Sequence, residues 1–272
     1  MNTREAKIEA FGHLLDVQER LRKECPWDRK QTFQSLRPNT IEETFELADA
    51  LMNNDMHNVK KELGDVMEHV LFYAILGDES DEFDIADVCN QEARKLMFRH
   101  PFIDWTGWRD DPKADSGDMP HNSEEVEQTW EQIKQKEKDG NKTVLAGVPA
   151  ALPTLIKAYR VQDKARNVGF DWEEREQVWD KVKEEISEFE AEVAHMDKER
   201  AEGELGDVLF SLINAARLYK INPDNALERT TQKFIRRFNY LEAHTLKAGR
   251  PLTDMTLAEM DEIWNEAKAK GL

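Results

Sequence analysis

The sequence has 272 residues, 38 Lys and Arg against 56 Asp and Glu, and a formal net charge of −18. That acidic balance excludes a general DNA- or RNA-binding surface, because a phosphate backbone needs a basic one, so no nucleic acid polymer is expected as a partner. Two cysteines, Cys25 and Cys89, form neither a disulfide framework nor a CxxC metal pattern, which fits a reducing compartment. The N-terminus lacks the apolar core of a signal peptide, and the longest apolar run, Val70–Leu76, falls far short of the roughly 20 residues of a membrane span. A cytoplasmic protein without a membrane segment is expected.

Along the chain the pattern is helical. Asn58–Leu76 places Val59, Leu63, Val66, Met67, Val70, Leu71, Ala74 and Ile75 at three- and four-residue steps, the spacing of one helix face, and strand alternation is nearly absent. Trp105–His121 concentrates Gly, Pro, Asp and Ser and reads as a loop. Lys136–Pro153 mixes charge, Gly and Pro near the middle and reads as a linker. NVGFDW, Asn167–Trp172, reads as a helix-ending turn in which Asp171 caps the next helix. Phe234, Phe238 and Leu241 give one apolar face, and Trp264 lies on an amphipathic C-terminal helix.

Internal repetition decides the architecture. IEETFEL at Ile41–Leu47 matches KEEISEF at Lys183–Phe189, and ELGDV recurs identically at Glu62–Val66 and Glu204–Val208, both at an offset of 142 residues. Lys95 and Arg99 are echoed by Lys233 and Arg237, and Trp130 with Lys134 by Trp264 with Lys268. The expected fold is all-α: two tandem domains resembling four-helix bundles, residues 1–140 and 153–272, joined by a linker over 141–152.

Each half carries EExxE followed by ExxD. These are Glu42, Glu43, Glu46, Glu62 and Asp65 in the first half, and Glu184, Glu185, Glu188, Glu204 and Asp207 in the second. Acids at i and i+3 share a helix face, so two antiparallel helices would converge four carboxylates: Glu185, Glu188, Glu204 and Asp207, with a second set at Glu43, Glu46, Glu62 and Asp65. Clustered anions repel and need a cation. An all-oxygen set suits Mg²⁺, with Mn²⁺ as a substitute, and Mg²⁺ so held commonly completes its shell with water and substrate phosphates. A single ExxE in so acidic a chain is a solvated helix face; the equal spacing of the two sets argues against that here.

The halves differ around the acids. Lys181, Arg200 and Asn214 in the second half face Asn39, Asn58 and Phe72 in the first, and Arg217 faces Ile75. A triphosphate needs cationic clamps as well as metal. The second half is therefore expected to be the catalyst and the first weak or regulatory. The competing reading pairs Lys181 and Arg200 with their neighbouring glutamates as ordinary i,i+4 contacts.

The EExxE and ExxD set, the tandem layout, CPWD (Cys25–Asp28) and NVGFDW together resemble the MazG family of all-α nucleoside triphosphate pyrophosphohydrolases. The resemblance implies Mg²⁺-dependent cleavage of NTPs and dNTPs between the α and β phosphates, giving a nucleoside monophosphate and pyrophosphate, and a homodimer. It implies metal binding by Glu185, Glu188, Glu204 and Asp207, with Glu184 or a ligand carboxylate as base. Lys233 and Arg237 match the family's KxxxR phosphate motif, and Trp264 becomes a nucleotide contact or, equally, core. The alternative is a helical nucleotide-sensing or adaptor protein that binds without turnover.

Overall fold

The computed structural model describes residues 1–108, 143–172 and 174–272, with the isolated positions 122, 126 and 133. Among the described residues regular structure is helical throughout, with no strand. The chain divides into two units, Met1–Ile133 and Lys134–Leu272.

The first unit holds α1 (Arg4–Glu24), α2 (Phe33–Met52), α3 (Met56–Asp78) and α4 (Ile85–Arg99). The second holds α5 (Thr154–Arg166), α6 (Val178–His195), α7 (Lys198–Leu218), α8 (Pro223–Ala248) and α9 (Leu257–Ala269). Polar caps start most of them. Thr32 with Ser35, Asp84 with Asp87, and Thr256 with Glu259 form reciprocal capping boxes, which satisfy backbone donors that the first turn leaves unpaired. Asp55 and Asp197, one repeat apart, cap α3 and α7.

The packing repeats with the sequence. The principal pairing in each unit is α2 with α3 and α6 with α7, and the first helix of each unit packs on the same partner, α1 on α3 and α5 on α7. Leu36, Phe72 and Leu76 form the first core, with Tyr73 against them. Val178, Val182 and Ala215, with Leu218, form the second. Leu36 and Val178 are repeat equivalents, as are Leu76 and Leu218.

The face predicted for Asn58–Leu76 is only partly the buried one. Leu71 and Ala74 are buried, but Leu63, Met67 and Val70 are exposed, and their places inside go to Glu62, Phe72 and Leu76. The buried stripe carries Glu62 at one end and the core residues Leu71, Phe72 and Leu76 toward the other. On α7 Leu205 is likewise exposed while Val208 is buried. No helix among the described residues is long and apolar enough to cross a membrane.

Candidate active site

The acids of each set reach one another because α2–α3 and α6–α7 are joined by tight turns. A left-handed residue makes each turn, Asn54 at φ 52° and its repeat equivalent Met196 at φ 58°. In the second unit, one carboxylate oxygen each from Glu185 and Glu188 on α6 and Glu204 on α7 lie within 4.8 Å of one another. Glu43, Glu46 and Glu62 do the same in the first unit. The fourth acid stands outside each trio: Asp207 is exposed, and Asp65 is half-buried. Three of the four acids expected from the spacing therefore converge, and the last sits at the margin of the group.

Burial is distributed differently in the two copies, and a lysine follows it. In the second unit Glu185 is the buried acid, and Lys181 bridges it at 2.7 Å and Glu184 at 3.0 Å. In the first unit the buried acid is Glu62, bridged by Lys61 at 2.9 Å, with Asp65 at 3.7 Å from the same ammonium. A carboxylate taken out of water requires a counter-charge, and the chain supplies it from non-equivalent positions. Lys61 faces Gly203 in the second copy, and Lys181 faces Asn39 in the first. Sequence reasoning missed Lys61. Its signal was present, a lysine beside and four before the two acids, but an i,i+1 pair does not share a helix face, so only the packed structure shows which acid it serves.

Lys181 thus makes the i,i+4 contact of the competing reading. Its hydrogen bonds to Glu185 and Glu184 raise its pKa, so it stays cationic. Desolvation, then the charges of Glu185, Glu204 and Glu184, raise the pKa of Glu188. Desolvation, then Glu46, Asp65, Glu62 and Glu42, do the same for Glu43. Each trio therefore holds more negative charge than its one lysine offsets. Arg200 points elsewhere than expected. Its backbone N–H donates to the Asp197 carboxylate at 3.2 Å and its Nε lies 3.4 Å from the same group. It belongs to the α7 cap, as Asn58 belongs with Asp55 in the first unit.

A cavity of about 690 Å³ lies in the second unit, lined by Leu145, Phe170, Trp172, Phe210, Asn214 and Lys181 among others. Lys181 both lines it and bridges Glu185, so one side chain links the cavity to the acid trio. NVGFDW contributes to its wall. Asn167 ends α5 and Gly169 turns left-handed at φ 87°, as expected, but Asp171 does not cap the next helix. It accepts both guanidinium Nη groups of buried Arg217, one at 3.0 Å. Arg217 is thereby a loop pin rather than a phosphate cation. The first unit differs at this place: Phe72 is buried against Leu36 and Leu76, with the Arg22 guanidinium 5.8 Å from its ring centre. Its own cleft, about 510 Å³, is open and acidic, lined by Glu42, Glu46, Asp49, Asp55 and Glu62 with Phe45.

On α8 Lys233 is exposed, and Arg237 donates through Nε to the Leu272 carbonyl at 2.7 Å while lying 5.8 Å from the Trp264 ring centre. Trp264 is half-buried against Phe234, ring centres 5.0 Å apart. It packs α9 onto α8. In the first unit Lys95 pairs with Glu92, while Trp130 and Lys134 lie outside the described residues.

The donor chemistry fits a hard divalent cation. Each trio is all-oxygen, and Glu62 keeps a buried Oε2 with no hydrogen-bond partner, an acceptor that a cation or water would satisfy. The profile of the MazG nucleotide pyrophosphohydrolase domain matches residues 31–103 and 173–241. The chain belongs to the MazG family. It is 38% identical over 265 residues to a nucleoside triphosphate pyrophosphohydrolase of Escherichia coli K12, covering 95% of this chain and 97% of that one. It is 37% identical over 261 residues to the nucleoside triphosphate pyrophosphohydrolase/pyrophosphatase MazG of Thermotoga maritima, covering 95% of each. It is also 43% identical over 246 residues to the uncharacterized protein YabN of Bacillus subtilis, covering 90% of this chain and 48% of that protein. Both acid sets and the Lys233/Arg237 pair fall inside the MazG matches; Trp264 and the aromatic residues of NVGFDW fall outside them.

Proposed function

We propose that this MazG chain hydrolyses nucleoside triphosphates, NTPs and dNTPs alike, at the α–β phosphoanhydride, releasing a nucleoside monophosphate and pyrophosphate, and that its second unit is the catalyst. The observation that carries this is that Lys181 bridges Glu185 of the converging Glu185, Glu188 and Glu204 trio and also lines a cavity of the same unit. Glu185, Glu188 and Glu204, with Asp207 at the margin, would hold Mg²⁺, with Mn²⁺ as a substitute. Such an ion supplies electrophilic polarisation of phosphoryl oxygens and neutralises charge on the leaving pyrophosphate.

The protein's own groups do the rest. Lys181 stays protonated between Glu184 and Glu185 and presents positive charge at the junction of cavity and carboxylates. Lys233 and Arg237 add cationic charge for the phosphate chain, and Arg237 is oriented by the Leu272 carbonyl. The proton of the attacking water goes to a carboxylate of this group, Glu184 or one of the ligands. The first unit keeps its trio, but Phe72 occupies the core position where the second unit has Asn214. It is read as a cation-holding regulatory module whose own cleft is acidic, lined by Glu42, Glu46, Asp49, Asp55 and Glu62.

Full-length chain assayed for phosphate with and without inorganic pyrophosphatase tests the reaction: signal only with pyrophosphatase means α–β cleavage. Glu185→Gln is expected to lower turnover about 100-fold or more, with the helical circular dichroism signal retained. Glu43→Gln is expected to leave most of it. Equal losses in the two variants would remove the assignment of catalysis to the second unit, and phosphate release without pyrophosphatase would remove α–β cleavage.

A homodimer is part of the same proposal. Leu205, Leu209 and Leu212 are exposed at four- and three-residue steps on α7, and Leu63, Met67 and Val70 repeat the pattern on α3. Apolar stripes of this kind are interface material.

A further inference from the structure

The second unit's cavity has a polar floor that the reaction as described does not use. Asn214 accepts two hydrogen bonds at Oδ1, from Arg217 Nε at 3.1 Å and Nη2 at 2.8 Å. These fix which end of the amide is which. Its Nδ2, the donor end, makes no hydrogen bond within the described residues and belongs to a side chain that lines the cavity. Beside it Gln162 is held the other way round. Its Nε2 donates to the Phe210 carbonyl at 2.8 Å, and its buried Oε1 has no partner.

Around this floor stand aromatic rings with little covering them. Phe170 is 81% exposed and Phe210 45%, although a large ring gains most by burial. Aromatic walls above a few fixed polar groups suit a flat heteroaromatic ligand. Lys181, which lines the cavity and bridges Glu185, points to the base of a nucleotide whose phosphates reach toward the carboxylates.

We propose that Asn214 is the base-reading residue of this site: its Nδ2 donates to an acceptor atom of a nucleobase held among Phe170, Trp172 and Phe210. Arg217 and Asp171 are positioning residues. Arg217 orients the Asn214 amide, and its pairing with Asp171 ties the loop that carries Phe170 and Trp172 to α7. The first unit supports the assignment by contrast. Phe72 and Ile75 replace Asn214 and Arg217, and Phe72 is buried in the core against Leu36 and Leu76. The inference rests on the reading of the second unit as the nucleotide site.

The test compares full-length wild type with Asn214→Asp, which keeps an acceptor for Arg217 and deletes the donor. Two substrates are used, a panel of NTPs and ribose 5′-triphosphate, which has no base. For base-bearing substrates kcat/KM is expected to fall about 10- to 100-fold, mainly through KM, the scale of one lost buried hydrogen bond. Ribose 5′-triphosphate turnover should stay within about twofold, since it has no base atom for the lost donor. Asp171→Asn should give the same split in weaker form, which a merely structural role would not. Equal losses on both substrate types, or no loss on any base, would overturn the assignment. If wild type releases no pyrophosphate, the enzyme reading itself fails. The assignment is then judged by calorimetry with α,β-imido NTPs: a tenfold weaker Asn214→Asp complex upholds it, and unchanged affinity overturns it.

Discussion

Glu185 and Glu62 are the same kind of residue in two different roles of burial. Each is the acid of its trio that the fold draws inside, and each takes a lysine from whichever neighbouring position the sequence offers. The lysine reduces the electrostatic cost without cancelling it, so a trio still favours a cation. At the same scale, Glu259 shows how a surface carboxylate is held down. Arg250 first, then the backbone and hydroxyl of Thr256, bring its pKa to about 2. Because the folded value lies below the ordinary one of 4.5, the stabilisation is complete above pH 4.5 and is lost as pH falls through about 2. Carbon-detected NMR titration of Glu259 should give a midpoint near that value, and Arg250→Gln should move it up toward 4.5. An unmoved midpoint would mean that the ion pair does not form in solution.

At the scale of elements, the turn between α6 and α7 carries strain that its partner avoids. Met196 sits left-handed at φ 58° and is 91% exposed, whereas the first unit uses Asn54 at φ 52°. A side chain such as methionine is costly there, and asparagine tolerates the conformation. Met196→Asn should stabilise the second unit by about 0.5–1 kcal/mol, read as an upward shift of its urea midpoint; an unchanged or lower midpoint would rule that out. The exposed stripe of α7 makes a second element-scale prediction. Leu209→Lys should shift the sedimenting species from dimer to monomer with helicity retained. A wild type that sediments as a monomer would dispose of the dimer.

For the whole molecule, the proposed cation sites predict that stability is coupled to divalent cations. A ligand that binds only the folded chain stabilises it by mass action, about 2.7 kcal/mol at a concentration 100-fold above Kd, which corresponds to a thermal shift of about 5 °C or more. Mg²⁺ should raise the unfolding temperature at pH 8 and raise it less at pH 5. The sign follows from Glu188 and Glu43, whose raised pKa values let the folded state take up protons as pH falls. That protonation relieves the repulsion and competes with the metal. A midpoint indifferent to Mg²⁺ at both pH values would defeat the metal assignment.

The sequence by itself determined the helical class, the duplication and three of the four acids of each set that converge. Each of these is a periodic property: i,i+3 spacing places Glu185 with Glu188, and a fixed offset carries ELGDV from one copy to the other. It left open what depends on side chains meeting from distant helices. Spacing could not say which face of α3 turns inward, since Leu63 and Leu71 fit one stripe equally well and only packing on α2 exposes the first and buries the second. It assigned Asp171 to a cap and Arg217 to phosphate, and only the tertiary structure joins them across 46 residues. It also could not reveal that, at the same repeat position, Phe72 is buried in a core and Asn214 lines a cavity. Whether a volume is filled depends on the shapes of all the groups around it, and no local pattern records that.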